Sequence, residues 1–168
     1  MTNRRRVLFL AEPATLAHVV RPIYLSQALD RKTYEVFFAT GPDFADLVAG
    51  ASLHNRELWS IGTKAYLAAV AAGRPVFPYS VLQKYVEEDL RHISAVQPDL
   101  VVGDFRLSLA ISARLAGVPY VAISNAYWSP FARARLEVPV HAVTRIIGAG
   151  AANRVFQVLR PMIFAQHS

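Results

Sequence analysis

The sequence contains no cysteine, which excludes disulfides, thiolate metal sites and cysteine nucleophiles and suits a reducing cytoplasm. Charged residues are scarce as well. They make up 18% of the chain, against 54% hydrophobic residues, and this balance excludes a disordered chain. With 168 residues, the chain has the length of one domain and can bury a sizeable core. We therefore predict a single domain over residues 1–168.

The middle of the chain lacks the positive charge that the formal net charge of +6 suggests. Arg4, Arg5 and Arg6 account for three charges, and the residues from 133 onward account for four. The residues between them carry ten basic and eleven acidic side chains. A nucleic-acid groove needs basic side chains clustered on one face, so we expect no nucleic-acid partner.

Long hydrophobic runs are also missing. The run Val7–Ala11 is shorter than the apolar region of a signal peptide. The uncharged stretch 115–132 is interrupted by Gly117, Pro119 and Pro130, so it cannot form one spanning helix. We expect a cytoplasmic protein without a membrane span.

Short apolar runs alternate with helix-period segments along the first 124 residues. The predicted strands are 7–11, 34–39, 53–58, 100–103 and 120–124. The predicted helices are 18–29, one capped by Thr40, one that opens with a Ser80–Gln83 capping box, and 107–116, with a partly helical excursion in 59–80. This alternation predicts an α/β fold, a Rossmann-like doubly wound parallel sheet with strand order 3-2-1-4-5 and room for further strands. A long loop over residues 125–140 follows.

His18 and Asp104 follow two of these strands. In doubly wound sheets, ligands bind beyond the carboxyl ends of the strands where the strand order reverses, here between 7–11 and 100–103. We therefore expect the two side chains to face each other across that crevice. A carboxylate that binds one imidazole nitrogen leaves the other free to take a proton, as a general base must. The alternative is a solvated histidine in a first helical turn beside an ordinary capping aspartate.

Aromatic residues are concentrated in the two irregular stretches. They are suited to line an apolar pocket for a hydroxylated small molecule, and the alternative is packing under loops as satellite clusters. The residues are Trp59, Tyr66, Phe77, Tyr79, Tyr127, Trp128 and Phe131.

The glycine run near the C-terminus and the remaining histidines do not predict a binding site. The run Gly148–Asn153 lacks the third glycine of a dinucleotide-binding fingerprint, so we interpret it as a helix junction. The remaining histidines have no metal-ligand spacing, so we expect no metal site; they are His54, His92, His141 and His167.

Three segments, in this order along the chain, match the pattern of a known domain: RVLFLAEPATLAHVVRPIYLSQAL, YEVFFAT and PDLVVGDFRLSLAISARLAGVPYVAISNA. Together they resemble the N-terminal, acceptor-binding domain of GT-B fold glycosyltransferases, in particular the bacterial macrolide and UDP-glycosyltransferase-like group. The resemblance implies that His18 is the catalytic base and that Asp104 orients it. Ala17 stands where glycine is usual, and Arg21-Pro22 replaces the common Asn-Pro.

The resemblance also implies an activity. It is that of an inverting glycosyltransferase, of hexosyltransferase type, in natural-product or antibiotic biosynthesis, with a hydrophobic hydroxylated acceptor such as a polyketide, terpenoid or lipid. A nucleotide sugar would be the donor, a co-substrate rather than a cofactor, and we expect no cofactor. The acceptor-binding residues would be Phe77, Tyr79, Asn125, Tyr127, Trp128 and Phe131.

The resemblance implies that the donor is bound mainly by a second, C-terminal Rossmann-like domain, which residues 1–168 do not include. We therefore expect this chain to be inactive alone and to need that partner domain. Two alternatives stay open, namely half of a GT-B sugar-nucleotide epimerase and a non-catalytic binding or scaffolding module that pairs with a separate domain.

Overall fold

The computed structural model of the chain describes residues 4–125 and 148–165. Residues 1–124 form one compact unit around a parallel sheet. Its strands are β1 (Arg5–Ala11), β2 (Tyr34–Thr40), β3 (Asn55–Glu57), β4 (Leu100–Asp104) and β5 (Tyr120–Ile123). Their order across the sheet is β3-β2-β1-β4-β5. The predicted α/β class, parallel pairing and strand order are confirmed.

Five helices of this unit connect the strands. They are α1 (Leu16–Ala28), α2 (Ala45–Gly50), α3 (Gly62–Ala71), α4 (Tyr79–Val96) and α5 (Leu109–Ala116). The predicted helical excursion within 59–80 is α3. Helix α5 ends as predicted at Gly117, whose φ of 66° is the left-handed conformation that closes many helices.

The hydrophobic core lies on both faces of the sheet. Along β1, Val7 and Phe9 pack with the buried side chains of α1 and α2, whereas Leu8 and Leu10 pack with those of α4 and α5. Successive side chains of a strand point to opposite faces, so a central strand that is covered on both sides must be apolar throughout. This double coverage explains the uninterrupted run Val7–Ala11.

Two predicted helix caps are wrong. Thr40 is the last residue of β2, and its hydroxyl donates to the Ala11 carbonyl at 2.9 Å instead of capping a helix. A short 3-10 turn, Pro42–Phe44, precedes α2. Ser80 lies inside the first turn of α4, which begins after Pro78 without a side-chain cap.

The second unit, residues 125–168, contains α6 (Ala149–Ala165). Gly148 precedes this helix with a φ of 83°, so the glycine run of residues 148–153 lies at a helix start. Apart from Asn125, the predicted loop over 125–140 lies outside the described residues. Over the described ranges, no helix has the length and apolar character needed to cross a membrane.

Candidate active site

The crevice between β1 and β4 holds the predicted pair of side chains. His18 lies in the first turn of α1, and Asp104 is the last residue of β4. The His18 Nδ1 atom lies 2.9 Å from Asp104 Oδ1, although the two residues are 86 positions apart in the sequence. The predicted proximity is therefore observed, whereas a catalytic role for the pair stays a prediction.

The contact with Asp104 defines which nitrogen of His18 is available to accept a proton. Asp104 is fully buried, and as a carboxylate it accepts the Nδ1–H of the imidazole. Within the described residues, Nε2 of His18 makes no hydrogen bond, and 12% of the side chain is exposed. In this tautomer Nε2 carries the lone pair that can accept a proton from a bound hydroxyl.

Arg21 joins this pair, which the sequence analysis did not anticipate. Its Nη2 atom donates to Asp104 Oδ1 at 2.7 Å and lies 2.9 Å from His18 Nδ1. The spacing of three residues on α1 places Arg21 on the same face as His18, and this helical spacing was the available signal. The site therefore combines an imidazole, a buried carboxylate and a guanidinium.

An aromatic cluster lies against the imidazole. Phe105 stacks on His18 with ring centroids 4.4 Å apart and planes within 8° of parallel. Tyr66 contacts the Phe105 ring edge-on at 5.9 Å, and Phe77 lies 6.4 Å from it. Two of the aromatic residues singled out from the sequence, Tyr66 and Phe77, thus belong to the same cluster as His18.

The other residues predicted to bind an acceptor are placed differently. Tyr79 begins α4 and is 82% exposed, and Asn125 belongs to the second unit. Tyr127, Trp128 and Phe131 lie outside the described residues. For these five residues, acceptor binding stays a prediction.

Next to the cluster, a buried polar network connects the segments after β1 and β4 to α4. Arg106 donates to Glu12 Oε2 through Nη1 and to Asp89 Oδ1 through Nε, both at 2.8 Å. These three side chains are at most 1% exposed. Tyr85 donates its hydroxyl to Glu12 at 2.8 Å, and burial, together with the Glu12 charge, raises the pKa of Tyr85 well above its ordinary value. Pairing of Glu12 with Arg106 is non-local, so no sequence spacing predicted it.

The remaining histidines within the described residues are His54 and His92, which line the same cavity. His92 is buried in α4, with its Nε2 atom 3.1 Å from the Glu57 carbonyl oxygen. Across the described part of the chain, no three His, Asp or Glu side chains are grouped as a metal site requires.

Comparison with known proteins identifies several relatives, although no protein-family model matches the chain. A PGL/p-HBAD biosynthesis rhamnosyltransferase of Mycobacterium bovis is 45% identical over 163 residues, which are 97% of this chain and 36% of that protein. A PGL/p-HBAD biosynthesis glycosyltransferase of Mycobacterium tuberculosis is 43% identical over 98% of this chain and 39% of its own length. A Mycobacterium bovis protein described as an inactive PGL/p-HBAD biosynthesis glycosyltransferase is also 43% identical, over 98% of this chain and 45% of its own length. The chain thus spans less than half the length of these relatives.

Solved structures share the fold. The glycosyltransferase SsfS6 of Streptomyces sp. SF2575 matches 71% of this chain and 39% of its own with a TM-score of 0.54 and 22% identity. The spinosyn forosaminyltransferase SpnP matches 71% of this chain and 31% of its own with a TM-score of 0.52 and 22% identity. Over almost its whole length the chain is therefore similar in sequence to PGL/p-HBAD biosynthesis glycosyltransferases, and it shares the fold of one part of solved GT-B glycosyltransferases.

Proposed function

We propose that this chain is the acceptor-binding part of an inverting glycosyltransferase and that His18 is its general base. The observation that carries the proposal is the 2.9 Å contact of His18 Nδ1 with the buried Asp104 carboxylate, which leaves Nε2 as the proton acceptor. The names of the relatives support sugar transfer as the reaction.

The proposed reaction is a single displacement. His18 Nε2 takes the proton of an acceptor hydroxyl, and the oxygen attacks the anomeric carbon of a nucleotide sugar. The bond from that carbon to the diphosphate oxygen breaks, and the nucleoside diphosphate leaves with the electron pair. Because attack and departure occur on opposite faces, the anomeric configuration inverts. Asp104 stabilises the imidazolium that forms.

The aromatic cluster indicates the kind of acceptor. Phe105, Tyr66 and Phe77 place apolar ring surface beside the imidazole, so a hydroxyl on a hydrophobic small molecule would be held next to Nε2. Since one relative is named a rhamnosyltransferase, we propose a rhamnose-type sugar. PGL/p-HBAD biosynthesis, named for all these relatives, is a better-supported setting than antibiotic biosynthesis.

The donor site belongs to the remaining length of such an enzyme in this proposal. The chain spans 36–45% of its relatives, which is consistent with a nucleotide-sugar-binding partner domain outside it. Transfer then requires both parts, in a cytoplasm that the cysteine-free sequence suits.

A non-catalytic role is the second candidate. It is favoured by the 43% identical relative that is described as inactive. In that case the chain would pair with a partner domain without transferring sugar.

Ligand binding by the chain distinguishes these functions. Isotope-labelled chain is titrated with an aromatic alcohol and, separately, with the same ring lacking the hydroxyl, while the His18 ring signals are followed by NMR. The acceptor proposal predicts that the alcohol shifts these signals more than the ring without a hydroxyl does. Phe77→Leu should weaken binding, whereas Tyr24→Leu, at an exposed position of α1, should not.

Two results would contradict the proposal. Binding of a nucleotide sugar by the chain alone, without binding of alcohols, would favour a sugar-nucleotide epimerase half. Binding of neither ligand would favour the scaffolding module.

A further inference from the structure

Arg21 contacts both members of the proposed dyad. Its Nη2 atom lies 2.7 Å from Asp104 Oδ1 and 2.9 Å from His18 Nδ1, so one guanidinium nitrogen meets both groups. The Arg21 side chain is 31% exposed, whereas Asp104 is fully buried. The other carboxylate oxygen, Oδ2, has no hydrogen-bond partner in the described part of the chain. Among the described residues, the side-chain hydrogen bonds of the Asp104 carboxylate therefore come from His18 and Arg21, both at its Oδ1 atom.

The donors and acceptors allow one favourable arrangement of protons. A guanidinium only donates, and it stays protonated at any ordinary pH. If Arg21 donated to Nδ1, the lone pairs of Nδ1 and of Asp104 Oδ1 would face each other at 2.9 Å. When Nδ1 carries the proton, Oδ1 accepts from both His18 and Arg21, and Nε2 is left with its lone pair. The contact of Arg21 with Nδ1 is then a close approach of positive charge.

The positive charge of Arg21 affects how many protons His18 and Asp104 hold together. A buried carboxylate is stabilised by an adjacent positive charge. Arg21 supplies that charge, so His18 does not need to become an imidazolium to compensate Asp104. A second positive charge on His18 would lie 2.9 Å from Arg21 and would be repelled by it.

We propose that Arg21 is a positioning residue that keeps His18 neutral, with the proton on Nδ1 and the lone pair on Nε2. The inference deepens the proposed function, since it concerns the state of the proposed base before it reacts. It also gives a role to the position where Arg21-Pro22 replaces Asn-Pro.

Two further carboxylates near this edge of the sheet share one cation. Glu12, after β1, and Asp89, on α4, both bind Arg106, which follows β4. The groups that contact the His18 ring within the described residues are Asp104, Arg21 and the uncharged Phe105 ring. Among these contacts, Arg21 is the cation and Asp104 the anion that a change in His18 charge would meet.

The test is an NMR pH titration of the His18 ring in the chain itself. In Arg21→Met, Asp104 loses its cation, so His18 should take a proton more readily. The pH at which His18 is half-protonated should rise by about one unit or more. Arg21→Lys keeps a cation and should leave this midpoint close to that of the unchanged chain. Arg21→Gln provides a second neutral variant that retains a hydrogen-bond donor.

A double variant isolates the carboxylate. If His18 responds to Asp104, adding Asp104→Asn to Arg21→Met should remove the rise in the midpoint. Backbone amide spectra verify the fold of each variant. An unchanged or lower midpoint in both Arg21→Met and Arg21→Gln would overturn the inference. The titration requires no acceptor or donor, so its failure is distinguishable from failure of the proposed sugar transfer.

Discussion

Phe105 has a left-handed backbone conformation, with a φ of 57°, at the residue that follows Asp104. Residues with a Cβ seldom adopt this conformation because of steric crowding. Here it accompanies the stacking of the Phe105 ring on His18. Buried anchors lie on either side of Phe105, since Asp104 and Arg106 are both at most 1% exposed. The surrounding contacts therefore hold the strained residue in place.

This strain has a measurable signature. Phe105→Ala and Phe105→Gly both remove the ring, but only glycine relieves the left-handed backbone. We expect Phe105→Gly to be the more stable of the two by about 1 kcal/mol in urea unfolding. At the exposed helical residue Ile111, the order should reverse, with Ile111→Gly about 1 kcal/mol less stable than Ile111→Ala. If the alanine variant were the more stable one at both positions, Phe105 would not be strained.

His92 makes stability depend on pH. Burial, followed by the charge of Arg91, lowers the pKa of His92 below its ordinary value of 6.5. Below that pH the unfolded chain binds a proton that the folded chain does not, so the contribution of His92 to stability is present above pH 6.5 and is lost as the pH falls. The Arg91 hydrogen bond lowers the pKa of Glu88 to about 2, so the contribution of Glu88 to stability is fully present above about pH 4.5 and is lost only as the pH falls below it.

Urea unfolding at pH 7.5, 6.5 and 5.5 tests this dependence. The free energy of unfolding should decrease across the series in the unchanged chain. In His92→Gln, which keeps a donor for the Glu57 carbonyl, the decrease should be smaller. Parallel pH curves for the two proteins would refute the assignment to His92.

At the scale of elements, the network of Arg106, Glu12 and Asp89 joins α4 to the segments that follow β1 and β4. Ser108 and Ser112 donate to the other oxygen of Asp89, and Glu12 accepts from Tyr85 and Ser60. The carboxylates are therefore extensively hydrogen-bonded as well as ion-paired. Their partners lie on several elements, so the network holds the edge of the sheet at which His18 and Asp104 meet.

Replacement of Arg106 by an uncharged residue should strongly lower the free energy of unfolding. Arg106→Met leaves two buried carboxylates uncompensated, and we expect the free energy of unfolding to drop by about 3–5 kcal/mol. The matched control is Arg91→Met, which breaks the ion pair with Glu88 on the surface of α4, where the Arg91 side chain is 59% exposed. This substitution should cost about 1 kcal/mol or less. Urea unfolding measures both, and equal costs would contradict a structural role for the network.

At the scale of the whole molecule, the sheet could be predicted because a strand that is buried on both faces is a continuous run of apolar residues in the sequence. The alternation of strands and helices predicted parallel pairing, and the strand order common in such sheets placed His18 and Asp104 at the same crevice. Thr40 was assigned wrongly because its hydroxyl binds the Ala11 carbonyl, a partner 29 residues away. Likewise, nothing near Arg106 in sequence identifies Glu12 as its partner. Local patterns predicted the elements, whereas long-range side-chain partners required the structure.

In the proposed function, His18 acts as the base of a glycosyltransferase that contains this chain. The most direct measurement is the turnover of His18→Ala in a two-domain enzyme that joins this chain to a nucleotide-sugar-binding domain, with saturating acceptor and donor. Loss of the base should lower kcat by a factor of about 100 to 10,000 while the fold is retained. A variant that keeps most of its turnover would contradict the base assignment.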